Sequence, residues 1–349
     1  MKYSRVYINS MAYQLAPEVI SSKTLETRLA PLYQKLRIPA GQLAALTGIE
    51  ERRWWPKDHR LSDGAIEAAK KALHETDINV NDIGAVVYTG VCRDQHEPAT
   101  ACRIAAEIGV NNSTAIYDIS NACLGVLSGI LDIANRIELG QIKAGLVVSC
   151  ESARHIVDIT IDNMLADQSI QNFSQSLATL TGGSGATAII LTDGTLDLNN
   201  QSQHKLLGAS HLSAPEHHDL CKWGLKEVSL KLYREFMRTN AVPLLKEGVA
   251  LALDTWKHFL HHQQWTIDTV DKVICHQVGA SNQKQVLSTL QIPPEKEYPT
   301  FQYLGNMGTV SLPVTAALAD ENGFLKKGDN VSFLGIGSGL NCMMLGLEW

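Results

Sequence analysis

The chain repeats one kind of segment, a short continuous run of apolar and β-branched residues closed by glycine or a polar residue. Ile83–Gly90 reads IGAVVYTG, Ala144–Ser149 reads AGLVVS and Ala186–Thr192 reads ATAIILT. A strand with one wet face alternates apolar and polar residues, so runs without alternation belong to a sheet covered on both faces. Such a sheet needs helices on each side, which confines the chain to a layered α/β fold. Cys123–Ile137, CLGVLSGILDIANRI, is apolar on nearly every face and carries Gly125 and Gly129 four apart, the pattern of a buried helix in close contact with its neighbours. Ser62–Leu73 and Leu230–Leu253 are more clearly amphipathic and fit the outer faces, with Ser62 the predicted N-cap of the first.

The second half repeats this order. Val270–His276 reads as a strand, Ser311–Ala319 (SLPVTAALA) as the opening of a helix, and Asn330–Ile336 and Asn341–Leu347 as strands. A duplication of about 150 residues would stack two such halves, predicted as 1–196 and 197–349, into a five-layered αβαβα assembly. No Pro/Gly/Ser linker separates the halves, so they must share a core. Residues 156–180 and 211–223 interrupt the alternation and are the predicted lids, tunnel walls or dimer contacts.

Composition narrows the function. Hydrophobic residues make up 45% and charged residues 19% of the 349, an ordinary globular enzyme. A formal charge of −6 gives no general attraction to nucleic acid. The chain opens without the order of a signal peptide and contains no run long enough to span a bilayer, so a cytoplasmic protein is expected. Its seven scattered cysteines form no C-x-x-C pair, which disfavours a disulfide scaffold or a cysteine-based zinc site. His217 and His218, and His258, His261 and His262, lack the glutamate and third ligand of a zinc motif, so no metal is expected. Thr181–Thr187, TGGSGAT, lacks a phosphate-loop lysine and precedes a strand, so it reads as a tight turn; Ala186 in place of glycine also breaks G-x-S-x-G.

Three residues carry chemistry in combination. Cys123 follows a polar turn and opens the buried helix, where free amide donors and the dipole are expected to lower its thiol pKa. His276, in VICHQVGASNQ, stands where a strand yields to a polar loop, and Asn306, in YLGNMGTVSLP, lies between two glycines. Each has a bland role taken singly: an inert core thiol, a hydrogen-bonded histidine, a turn residue. Together they supply a nucleophile, a proton-handling ring and a neutral amide donor, which suits a developing thioester oxyanion. GIGSG, Gly335–Gly339, adds backbone amides that could point at that oxyanion.

These motifs resemble the thiolase superfamily, in particular its β-ketoacyl-ACP synthase III branch, over essentially the whole chain. The order Cys123, His276, Asn306 and the 30-residue interval between the last two match that branch. The resemblance implies an oxyanion hole from the amides of Cys123 and Ser338, with His276 and Asn306 holding the second substrate's thioester oxygen. Glu97, in VCRDQHEPATACRIAAEIG, lies 26 positions before Cys123. A decarboxylative synthase needs no base there, whereas an enzyme starting from an ordinary acyl thioester must remove a proton from carbon. Glu-Pro is also a good helix start, its alternative role. With its neighbours, Glu97 resembles the acyl-CoA condensing enzymes that open long-chain olefin biosynthesis. That implies a homodimer in which Glu97 acts across the interface, fatty acyl-CoA substrates, downstream olefin-pathway enzymes as partners, and no cofactor. The product would be a 2-alkyl-3-oxoalkanoic acid formed by non-decarboxylative Claisen condensation. A conventional synthase III using acyl-CoA and malonyl-ACP, and a silent scaffold of the same fold, stay open. Leu46 occupies the place where the branch commonly has a basic residue for coenzyme A; Arg52, Arg53, Trp54 and Trp55 are candidates to compensate.

Overall fold

The computed structural model describes residues 1–196, 203–229 and 232–349. The predicted boundary between the halves at 196/197, and the start of the predicted segment at Leu230, fall at or within residues outside that description. The strands in chain order are β1 (Tyr7–Leu15), β2 (Glu18–Ser21), β3 (Glu51–Trp54), β4 (Ile83–Thr89), β5 (Ala115–Ile119), β6 (Ala144–Glu151), β7 (Gly185–Thr192), β8 (His204–Ser213), β9 (Cys221–Ser229), β10 (Leu232–Thr239), β11 (Lys272–Cys275), β12 (Asn330–Gly337) and β13 (Asn341–Glu348).

Nine of them form one sheet, in the order β11-β12-β13-β8-β1-β7-β6-β4-β5. Read inward from either side, the pairing is the same. β4 pairs β6 in parallel and β11 pairs β12 in parallel. The next two pairs are antiparallel on both sides, β6–β7–β1 and β12–β13–β8. A short β1–β8 contact at Tyr7 and Ile8 joins the halves. β5 alone lacks a counterpart, and it forms the free edge of the first half.

Helices complete the layers. Leu61–Thr76 and Thr100–Ile108 cover the outside of the first half, where Ile66, Ala69 and Ile104 meet Val86, Leu146 and Ile190. Ala241–Gln263 and Ala280–Leu290 cover the outside of the second, through Trp256, Phe259 and Leu287 on Val273 and Met344. Between the halves lie the two apolar helices, Gly125–Glu138 and Ser311–Glu321, and Leu127, Ile130, Leu312 and Ala316 share one core with Val87, Val147 and Phe333. This is the expected duplicated αβαβα fold, and β4, β6 and β7 are buried along almost their whole length as predicted.

Two local expectations are corrected. The segment predicted as one helix from Leu230 to Leu253 divides into β10 and the helix that starts at Ala241. Its first part is held as a strand by pairing with β9, a contact helical periodicity cannot register. Ser62 is not the N-cap, because the helix begins at Leu61 and Ser62 lies buried in its first turn. The capping acceptor comes from elsewhere: Asp94 accepts from the Ser62 amide at 3.2 Å and from its hydroxyl at 2.5 Å. No helix among the described residues is long and apolar enough to cross a membrane.

Gly129 shows how tightly the central layer is drawn in. A Cβ there would lie 2.8 Å from both Thr89 Cγ2 and Val147 Cγ1. Gly129→Ala gains about 1 kcal/mol of helix propensity but forces a methyl into a filled contact, which costs about 1–3 kcal/mol. A net loss of about 1 kcal/mol is expected in urea denaturation, and a gain in stability would contradict the packing described.

Candidate active site

Cys123 occupies a single 3-10 turn, Ala122–Leu124, between β5 and the Gly125 helix. Ala122 enters it at φ +45°, a left-handed conformation that costs a residue with a Cβ roughly 1–2 kcal/mol. The surrounding loops hold this turn. Asn121 donates to Ser128 Oγ at 3.0 Å and accepts from Asn341 Nδ2 at 3.3 Å. The Val126 amide donates to Thr309 Oγ1 at 2.7 Å, so a residue of the second half caps the helix that follows the nucleophile.

The second half delivers the other groups to the same point. The turn between β12 and β13 passes so close that a Cβ on Gly337 would stand 3.4 Å from the Cys123 nitrogen. Ser338 follows it and faces the same cavity as Cys123. GIGSG is therefore a close-approach loop rather than a free turn. His276 follows β11, its amide donating to Leu334 O at 2.9 Å, and its buried ring nitrogen Nδ1 has no hydrogen-bond partner among the described residues. Asn306 is fixed through its backbone, which accepts from Gly183 at 2.8 Å and donates to Thr181 at 2.9 Å. The TGG turn read from the sequence is thus a clamp on the asparagine loop. The Asn306 side-chain oxygen accepts from the Gly308 amide at 3.0 Å, which leaves the Nδ2 end to donate.

Cys123, His276, Asn306 and Ser338 line one cavity of about 760 Å³ whose remaining wall is largely apolar, with Phe236, Met237, Leu244 and Val249 among its residues. Ile156, residues 177–179 and Cys221–Trp223 supply part of that wall, as expected of the 156–180 and 211–223 segments, and Phe236 and Met237 of β10, expected on an outer face, line it too. Glu97 is not brought there. It is exposed, on the loop between β4 and the Thr100 helix, and it does not line the cavity of its own chain. Sequence reasoning also missed Glu151, a buried carboxylate on the cavity wall. Its signal was a lone acid closing the apolar run AGLVVSCE at the C-terminal end of a central strand.

Burial sets the protonation of the site. The expectation of a lowered Cys123 pKa does not hold: desolvation pushes the thiol up to about 12, with Cys221 and Glu151 adding to the rise. The regular helix starts only at Gly125, and among the described residues no cation offsets the loss of water. Desolvation also lowers His276 to about 4, so at neutral pH its ring is uncharged. Three of the proposed substitutes for a coenzyme A clamp, Arg52, Trp54 and Trp55, are committed elsewhere. Arg52 is fully buried, bonded to Ile20 O, Ser22 Oγ and Leu180 O. Trp54 and Trp55 are buried and donate to Gly182 O and Glu151 O.

A duplicated αβαβα fold with a cysteine turn at the head of its first central helix defines a thiolase-fold acyltransferase. The thiolase N-terminal domain matches residues 44–181, and the C-terminal domain of 3-oxoacyl-[acyl-carrier-protein] synthase III matches 260–349. The chain belongs to the acyl-CoA:acyl-CoA alkyltransferase family. It is 77% identical to the acyl-CoA:acyl-CoA alkyltransferase of Shewanella oneidensis over 349 residues, 100% of each chain. It is 33% identical to Xanthomonas campestris OleA in crystals of a cysteine-to-alanine variant, with a TM-score of 0.93 over 100% of this chain and 98% of that one. A cysteine-to-serine variant of OleA crystallised with lauric acid and lauroyl-CoA gives 33% and a TM-score of 0.91, covering 99% of this chain and 100% of that one.

The neutral histidine makes the fold acid-sensitive. His276 titrates near 4 when folded, against roughly 6.5 when unfolded. Between those values the unfolded chain binds more protons, so its stabilising effect is complete above about pH 6.5 and is lost as the pH falls toward 4. His204, buried against Trp349 and also lowered to about 4, acts in the same direction. Urea midpoints at pH 7 and pH 5 should therefore differ more in the wild type than in His276→Gln. Equal differences would contradict a buried neutral His276.

Proposed function

We propose that the protein joins two fatty acyl-CoA molecules by a non-decarboxylative Claisen condensation, on the strength of one observation above all. A large apolar cavity converges on a thiol, an uncharged imidazole and a free amide donor, which suits two alkyl chains meeting at a thioester. The lauroyl-CoA held by OleA supports acyl-CoA as the substrate class.

In the first half-reaction the Cys123 sulfur attacks the acyl-CoA carbonyl, the acyl group passes to sulfur, and coenzyme A leaves carrying the thiol's proton. The thiol is not a standing thiolate in this largely apolar cavity, so its proton must move as the substrate arrives. The amides of Cys123 and Ser338 stabilise the oxyanion of this step. In the second, Glu97 removes a proton from the α-carbon of another acyl-CoA, and His276 and Asn306 stabilise the enolate. The carbanion attacks the Cys123 thioester and expels the sulfur. Hydrolysis of the resulting 2-alkyl-3-oxoacyl thioester gives the β-keto acid, which olefin-pathway enzymes would consume. The scheme uses no cofactor. Seven free cysteines agree with a cytoplasmic location.

A homodimer with Glu97 acting in the partner's cavity accounts for its exposed position outside its own. The free edge strand β5, with Ile116 exposed, offers a place for the second copy.

Cys123→Ala should fold and lose turnover, as should Cys123→Ser, since a hydroxyl is a far weaker nucleophile at neutral pH. Glu97→Gln should release one coenzyme A per site and then stall, with the acyl-enzyme visible by intact mass and condensation reduced about 10²- to 10⁴-fold. Normal condensation by the folded Glu97→Gln protein would remove Glu97 as the base. Mixing unfolded Cys123→Ala and Glu97→Gln chains and refolding them together tests action across the interface. Half of randomly paired dimers would carry one intact site of two, giving roughly a quarter of wild-type activity. No recovery in refolded dimers would place Glu97 in its own chain's site.

A further inference from the structure

Glu151 ends the central strand β6 and is 4% exposed, yet no cation pairs with it among the described residues. A buried carboxylate without a cation is costly unless it is hydrogen-bonded, and its bonds indicate what it is for. Its two oxygens are divided between two consecutive backbone donors: Oε1 accepts from the Val91 amide at 3.0 Å and Oε2 from the Cys92 amide at 3.2 Å. They follow Gly90 at the start of the loop that leaves β4 and carries Glu97. Glycines flank the carboxylate on two sides. A Cβ on Gly90 would lie 3.1 Å from Oε1, and one on Gly308, beyond Asn306, would lie 3.4 Å from Cγ. Glu151 thus fills a fitted slot between the base-bearing loop and the asparagine loop, on the wall of the Cys123 cavity.

We propose that Glu151 is a positioning residue for condensation, fixing the root of the Val91–Pro98 loop so that Glu97 is held in register with the neighbouring site. The proposal rests on Glu97 being the base. The carboxylate meets the two amides with separate oxygens, Oε1 on Val91 and Oε2 on Cys92, whereas a glutamine in the same pose would set an NH2 donor against one of those two donors. The grip acts on the loop's backbone at its exit from β4, and a loop pinned at its root delivers its tip with less spread. Burial raises the Glu151 carboxyl above the ordinary range, while the bonds from Val91 and Cys92 act to lower it, so the loop also steadies the charge that anchors it. A glutamate that merely filled space would have no need of both donors.

The test is Glu151→Gln, measured in both half-reactions with one defined acyl-CoA and alongside backbone amide exchange. The variant should still form the Cys123 acyl-enzyme and accumulate it, while condensation falls about tenfold to a hundredfold, the scale of an ångström-level misplacement. Amides in the peptide spanning Val91–Pro98 should exchange faster than in the wild type. Wild-type condensation, equal loss of both half-reactions, or unchanged exchange in that peptide would each overturn the proposal. Should Glu151→Gln fail to fold, Glu151→Asp keeps the charge but withdraws it by one methylene, and the same split between half-reactions is expected. In the wild type, the Val91 and Cys92 amides should be protected although Val91 is exposed; rapid exchange there would by itself show that the anchor does not form. If the wild type makes no product from acyl-CoA alone, the reading of the reaction fails, and the exchange measurements still decide whether the anchor exists.

Discussion

The structure depends on two short apolar helices lying between two halves of one sheet, near enough for glycine to be required at the contact. Gly125–Glu138 and Ser311–Glu321 each follow directly on a functional loop, and both are buried over most of their length. Because the halves are copies, the loops at the heads of these helices come together at one place. The hydrogen bond from the Val126 amide to Thr309 Oγ1 is the local expression of that constraint. It caps the helix behind Cys123 with a residue three positions beyond Asn306. Nucleophile and amide donor are therefore fixed relative to each other by the same packing that makes the core.

The same burial decides the electrostatics. Desolvation raises the Cys123 thiol and lowers the His276 ring, so the resting site holds a thiol and an uncharged ring rather than an ion pair. Donors aimed into such a cavity act with little competition from solvent, which is where oxyanion stabilisation is most effective. A carboxylate base could not rest cheaply in so apolar a space without partners, and the structure keeps the two acids apart in different ways. Glu97 stays in water on an exposed loop, while Glu151 is buried with two backbone donors.

Much of this was legible in the sequence because it is written in local pattern. Uniformly apolar strands such as ATAIILT announce a covered sheet, and the glycine spacing of CLGVLSG announces a helix packed close. Recurrence of strand, buried helix, strand, strand gave the duplication, and the resemblance to the synthase III branch, carried by the order Cys123, His276, Asn306, implied that the three act together. What escaped was set by contacts distant in the chain. The pairing of β9 with β10 overrode a helical pattern, and Asp94 reached back to cap a helix in place of Ser62. The thiol pKa escaped because the cost of burial is paid to the whole cavity wall, whereas only the helix start is visible locally. Arg52 and the two tryptophans looked like ligand-binding residues and proved to be internal ties between loops. Glu151 was hidden because its meaning lies in two amides some 60 residues earlier.

The central claim is that this site joins two ordinary acyl thioesters without decarboxylation. The most direct measurement is mass spectrometry of the product formed by the wild-type protein from one defined acyl-CoA, with no malonyl donor present. The account predicts a β-keto acid holding the carbon atoms of two acyl chains, together with two equivalents of released coenzyme A. Absence of that product, with carbon–carbon bond formation appearing only when malonyl-ACP is supplied, would contradict it.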